Sequence, residues 1–312
     1  MDELKNLNRG TSIVLQDLPN RKYHSPIVGE DEAGELEFLS SSQVKRPAAW
    51  KFIPRGEEQT KSMEAGQFVH EWIEGELKGK PFHILPPFLD DNGKSMPRRG
   101  KAYEAKVQEL RAIHGERFAV LSNTEYEAAQ GGLNAIKNYF KALVASEEGK
   151  QVFSEATVLA GPDTMAATKF STPLYKLLKN YFGDFAVKAR PDLITIGFDG
   201  IKVWDWKKTA KKEVGGFAGQ AKSLNYLFSL LYYCEALEAV HGLPVTEINL
   251  VGLGTTKDCV PVEIKFDRDT LTASVLGGDK AQLLADRLAQ GMEYDKQAKS
   301  TGIITVDGAV ML

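Results

Sequence analysis

The stretch Ala189-Arg190-Pro191-Asp192, followed after a short gap by Val203-Trp204-Asp205-Trp206-Lys207, constrains this chain more than any other. Between its halves, Leu193-Ile194-Thr195-Ile196 and Ile201-Lys202-Val203-Trp204 are apolar, β-branched runs, and Gly197-Phe198-Asp199-Gly200 has the composition of a hairpin turn. The pattern predicts two paired strands. Side chains alternate faces along a strand, so Asp205 and Lys207 share one face while Trp206 points away. An acid beside an ammonium on one face suits a metal ion and a nucleophile.

The rest of the chain supplies elements around this hairpin. Residues 1–37 mix polar residues with Gly and Pro and show little periodicity beyond Ile13-Val14-Leu15, so they are expected to form a partly ordered arm. Residues 38–298 read as one domain and residues 299–312 as a tail. The serines of Leu39-Ser40-Ser41-Ser42-Gln43-Val44-Lys45 can cap a short helix. Met63, Phe68, Trp72, Ile73 and Leu77 form a helical stripe that carries His70, a residue open to a structural or a ligand role. A polar loop spans 81–100, with Arg98 and Arg99 either solvated or on phosphate, and helices are expected over 101–114 and 126–145.

Val152 to Leu159 reads as one strand whose charged residue is Glu155, on the outward face or in the site. Residues 161–182 read as an insertion, a loop or short helix beside the substrate channel. Beyond the hairpin come a long helix from Gln220 to His241, strands over 247–252 and 260–266, and a final helix over 267–298 interrupted at Gly277-Gly278. The order predicts an α/β core, a mixed sheet flanked by helices with an N-terminal helical elaboration, and not a βαβ dinucleotide fold.

Glu155, Asp192 and Asp205 are hard oxygen donors on neighbouring strands, the type preferred by Mg2+ and, in its place, Mn2+. Lys207 would repel a cation unless it served an anionic substrate, which points to phosphodiester hydrolysis with the lysine steadying the transition state. Lys207, Lys208, Lys211 and Lys212 place four lysines in six residues, a solvated face or a track for phosphates. The formal net charge of -3 excludes a global basic field, so nucleic-acid binding must come from such local patches. Cys234 and Cys259 are too few for a four-thiolate zinc site or an iron–sulfur cluster. No run approaches the roughly 18 apolar residues of a membrane span, and the polar start is unlike a secretory signal, so a cytoplasmic protein is expected, in a bacterium or a phage-infected host.

Pro191-Asp192, a gap, then Asp205-Trp206-Lys207 resembles the PD-(D/E)xK nuclease signature. Gly66-Gln67-Phe68-Val69-His70 resembles the G-x-x-x-H helix of its RecB and RecE branches, and Ser42-Gln43-Val44-Lys45 is similar to the opening of RecE-type domains. The resemblance implies a restriction-endonuclease-like core in which His70, Asp192, Asp205 and the Trp206 carbonyl ligate the metal, Lys207 is the catalytic lysine, and Glu155 assists. It also implies DNA contacts from Arg190, Ser42, Lys45, Tyr226 and Ser229. The family places a glutamine four residues before a tyrosine on the helix after the lysine; aligned through Tyr226 and Tyr233, this chain has Ser229 there, and Gln220 is the nearby glutamine.

The implied activity is that of the RecE and lambda-exonuclease kind. Such an enzyme resects double-stranded DNA ends with Mg2+, forms a homo-oligomeric ring, and hands single strands to an annealing protein in recombination or repair. A structure-specific or flap endonuclease and a catalytically inactive nucleic-acid-binding module remain alternatives.

Overall fold

The computed structural model describes residues 4, 6–16, 18, 20–31, 34–45, 70, 73, 75, 82–115, 117–147, 149–209, 211, 213–254 and 260–301. Within these the chain begins with β1 (Ser12–Leu15), α1 (Asn20–His24), β2 (Val28–Asp31), β3 (Gly34–Ser40) and α2 (Ser41–Lys45). It continues through β4 (His83–Leu85), α3 (Lys101–His114), β5 (Phe118–Val120), α4 (Asn123–Ser146), β6 (Gln151–Ser154) and β7 (Thr157–Ala160). Next come α5 (Pro162–Ala167), α6 (Pro173–Phe182), β8 (Ala186–Ala189), β9 (Leu193–Gly197) and β10 (Gly200–Lys208). The chain closes with α7 (Val214–Ser223), α8 (Tyr226–His241), β11 (Val245–Leu253), β12 (Val262–Phe266), α9 (Arg268–Leu276) and α10 (Lys280–Thr301).

The strands form two five-stranded mixed sheets, ordered β1-β7-β8-β3-β2 and β12-β11-β10-β9-β6, and a separate β4-β5 pair. The mixed α/β architecture agrees with the expected PD-(D/E)xK core. Among the described residues, no helix is long and apolar enough to cross a membrane.

One antiparallel ladder ties the two sheets together. β6 pairs β9 with Ser154 opposite Leu193, and β7 pairs β8 with Val158 opposite Ala189, in the same register. Between them the paired chains step from one sheet to the other at residues 155–156 and 190–192. Pro191 has no N–H to give the ladder, and Glu155 turns with φ of 47°, a left-handed conformation that costs a non-glycine residue energy. The expected single strand over 152–159 is therefore two strands, broken at Glu155. Alternation alone cannot reveal such a break, because the run stays β-prone on both sides of it.

The hairpin forms as expected, with Gly197 paired to Gly200 around Phe198-Asp199. Gly200 has φ of 132°, and a Cβ there would lie 2.5 Å from the Pro244 carbonyl oxygen, so the turn requires glycine. Trp204 and Trp206 face α4, where the Trp206 and Phe140 rings meet edge-on at 4.7 Å. Ile201 and Val203 face the other side, onto the main core.

That core is centred on α8, whose residues Phe228 to Glu238 are all buried. A helix apolar all round must sit inside the fold, and α8 packs against β7 and β8 of one sheet and β11 of the other. Its two carboxylates are used structurally. Glu235 accepts the N–H groups of Leu174 (3.0 Å) and Tyr175 (2.8 Å), capping α6, where Thr172 makes no side-chain cap. Glu238 accepts the Val245 N–H at 3.2 Å and pairs with Arg268 at 3.2 Å.

Other expectations are corrected by the structure. Residues 1–37, read as an arm, supply β1, β2 and most of β3, and Leu7, Leu15, Leu18 and Tyr23 are buried against Phe38 and Leu159. The helix expected over 220–241 is two helices, since Asn225 takes a left-handed φ of 53° between α7 and α8. Gly215, Gly216 and Gly219 lie inside α7. Residues 161–182, expected to be a loop or short helix, hold two short helices, α5 and α6. The helix over 101–114, the helix around 126–145 and the interruption at Gly277-Gly278 stand as expected. Of the stripe from Met63 to Leu77, only Ile73 and its companion His70 fall within the described residues; Gly66 to Val69, Lys212, Cys259 and residues 302–312 lie outside them.

Candidate active site

The step between the sheets gathers the acidic residues. Extending the β6–β9 register by one residue sets Glu155 across from Asp192, and the Glu155 N–H donates to the Asp192 carbonyl at 2.8 Å. Extending the β9–β10 register by one residue sets Asp192 across from Asp205. Three carboxylates thus lie in one row across three adjacent strands. The Trp206 N–H donates to Asp192 Oδ2 at 2.6 Å, fixing that carboxylate from below.

His70 meets this row from a separate segment, its Nδ1 2.9 Å from Asp192 Oδ1. One ligand atom from each of His70, Glu155 and Asp192 lies within 4.8 Å of the others. These are carboxylates plus an imidazole, the donor types that a small divalent cation takes, with His70 Nδ1 and Asp192 Oδ1 at hydrogen-bonding distance, 2.9 Å. The donor set therefore fits a small divalent cation. Asp205 is not part of this trio; its Oδ2 is paired with Lys207 Nζ at 2.6 Å. The Trp206 carbonyl, expected to face a metal, accepts from Lys207 Nζ at 3.1 Å.

Electrostatics separate the acids. Burial would raise Asp192, but the adjoining His70, the Lys207 charge and the Trp206 N–H outweigh it and hold the carboxyl below its ordinary range. Burial pushes Asp205 up to about 6, reinforced by the Asp192 charge and opposed by Lys207. Burial also opposes charge on His70 and Lys207, yet Asp192 raises the first, and Asp205 with Asp192 raises the second. Lys207 is thus kept as an ammonium.

Arg190 closes one side. Its Nη2 meets Glu155 Oε2 at 2.8 Å, its guanidinium lies 5.3 Å from the centre of the Tyr23 ring, and its buried Nε and Nη1 make no hydrogen bond within the described structure. Tyr23 escaped sequence reasoning. It lies in the segment read as an arm, and no periodic pattern marks a five-residue helix.

On the opposite side, Lys207 Nζ lies 5.4 Å from the centre of the Tyr226 ring, and Lys45 Nζ donates to Ser229 Oγ at 3.0 Å. Lys45 is pushed down to about 8 by burial and by the Lys207 charge. It extends from α2, where Ser40 and Gln43 cap each other: the Ser40 N–H donates to Gln43 Oε1 at 2.8 Å and the Gln43 N–H to Ser40 Oγ at 3.4 Å. Ser42 Oγ, exposed, lies 2.9 Å from Ser40 Oγ. Gln220, six residues before Tyr226 rather than four, has its Nε2 3.5 Å from Tyr226 Oη because the break at Asn225 shifts α8 relative to α7. Of the lysine run, Lys208 alternates away from Lys207, and Lys211 is exposed beside Gly216. Among the described residues of the run, Lys207 and Lys208 therefore lie on opposite faces of β10.

A family model of the PD-(D/E)XK nuclease superfamily matches residues 41–299. A search of curated proteins finds no match.

Proposed function

The chain belongs to the PD-(D/E)XK nuclease superfamily, and we propose that it is a magnesium-dependent exonuclease that resects the ends of double-stranded DNA. The observation that carries this reading is the row Glu155, Asp192, Asp205 with His70 against Asp192 and Lys207 on the same face as Asp205. A divalent cation bound there would be held by His70, Glu155 and Asp192, and it supplies neutralisation of phosphate charge and activation of water. Asp192 stays ionised across the neutral range and offers the cation a fixed oxygen. Lys207, kept protonated by Asp205, presents a positive point charge to the scissile phosphate as negative charge develops. Arg190, anchored by Glu155 and Tyr23, adds a fixed positive charge beside the acidic row.

Ring assembly and delivery of single strands to an annealing protein belong to the same proposal. A subunit with a formal charge of -3 has to gather cations locally, and a ring would bring those of several subunits around one duplex. The test is digestion of linear duplex labelled at either end, beside covalently closed circular DNA, with Mg2+ or Mn2+. Loss of label from linear DNA with the circle intact supports an exonuclease. Cutting of the circle identifies an endonuclease on the same site, and no digestion with either ion leaves a binding module.

A further inference from the structure

A groove of about 530 Å³ opens beside the active site between α7, α8, β12, α9 and α10. Phe228, Phe266, Ile264 and Leu284 contribute to its apolar lining, and Lys45, Lys222, Lys280 and Arg287 bring cations to it. None of its described lining residues is acidic, in a chain whose acidic residues outnumber its basic ones, 42 to 39. Lys45 joins the groove to the catalytic face, since it is bonded to Ser229 and feels the charge of Lys207.

Apolar and aromatic lining edged by cations is the chemistry that binds an unpaired nucleic-acid strand, with bases on the flat apolar groups and phosphates on the ammonium and guanidinium groups. A duplex shows its bases only at groove edges, so it would leave the apolar lining wet. Lys280 also caps α9, its Nζ 3.1 Å from the Ser274 carbonyl, which fixes one charge at the rim. We propose that this groove holds a single DNA strand, the unpaired segment of the substrate next to the phosphate at Lys207. This extends the nuclease reading to a strand-binding site that the catalytic residues do not supply.

The test uses the full chain in EDTA, so that binding is read apart from cleavage. Fluorescence anisotropy with a labelled oligothymidylate compares the native protein with the Lys222→Glu/Lys280→Glu double variant and with Lys222→Gln. Single-strand affinity is expected to fall about tenfold in the double variant, and the slope of log affinity against log salt to drop by about 1.4, two phosphates at about 0.7 each. Lys222→Gln should lose part of both, and it serves if the double variant melts early. Unchanged affinity overturns the proposal. An equal loss on blunt duplex assigns the groove to duplex and also overturns it, as does a change in sedimentation with no change in strand binding, which would mark a contact between copies. Digestion of linear DNA with Mg2+ by the native protein is measured separately: if it fails while the strand-binding loss stands, the nuclease reading falls and the groove remains.

Discussion

Asp192 Oδ2 accepts the Trp206 N–H at 2.6 Å, so the carboxylate is locked to the backbone of the strand that carries Asp205 and Lys207. The contact separates stability from chemistry at this position. Asn in place of Asp192 can still accept that N–H but carries no charge, so Asp192→Asn should melt within about 1 kcal/mol of the native protein and digest DNA about 10³-fold more slowly. Asp192→Ala leaves the Trp206 N–H without its acceptor and should cost a further 1–3 kcal/mol, roughly the penalty for a buried unsatisfied donor. Thermal melting and initial digestion rates check both.

Tyr23 carries the face on which Arg190 rests, and Lys188 Nζ lies 5.3 Å from the same ring centre. Tyr23→Phe retains that face and should keep stability and activity near native. Tyr23→Ala removes a buried aromatic, at about 3–5 kcal/mol, and frees Arg190, so activity per folded molecule should also fall. Equal activities for the two variants, measured below the melting range, would sever Tyr23 from the site.

Lys45 sets a pH dependence. With its pKa pushed down to about 8, it is charged at pH 7 and neutral at pH 9. Its attraction for phosphate is present below about 8 and lost above, so DNA affinity in EDTA should decline from pH 7 to 9, and Lys45→Arg should flatten the decline. Stability runs the other way. Above about 8 the folded protein has released a proton that the unfolded chain keeps to about 10.4, so this group adds stability as pH rises through that window.

Glu235 sets another. Burial pushes it up to about 7, against the pull of the Leu174 and Tyr175 N–H groups and Arg268. Its folded pKa lies above the unfolded value, so the stability it contributes is complete below about 4.3 and lost as pH rises through about 7. Melting temperature should fall between pH 5.5 and 8 by more in the native protein than in Glu235→Gln. Parallel curves would remove Glu235 as the cause.

The hairpin was legible because period-two alternation and a glycine-bounded turn leave one register, and that register puts Asp205 with Lys207 and Trp206 on the other face. The two-helix nature of α7 and α8 was hidden, since the break depends on the backbone conformation of Asn225 while apolar residues continue through it. Glu155 stands out in the sequence as the charged residue of the run from Val152 to Leu159. Its role as the turning point between sheets depends on Pro191 in the partner segment between β8 and β9, which no local pattern reports. Tyr23 and β1 lay beyond reach because short segments are held by distant partners: Ser12 to Leu15 pair with Thr157 to Ala160. The pairing of Lys45 with Ser229 spans 184 positions and was equally invisible as a contact.

The central claim is that Lys207 and the acidic row form a metal-dependent nuclease site. Its most direct measurement is the rate of linear duplex digestion with Mg2+, with EDTA, and with Mg2+ for Lys207→Met. The account predicts digestion by the native protein that EDTA abolishes, and a loss of about 10²–10³-fold in Lys207→Met, measured below that variant's own melting range. Digestion that persists in EDTA, or a Lys207→Met variant as fast as the native protein, would contradict it.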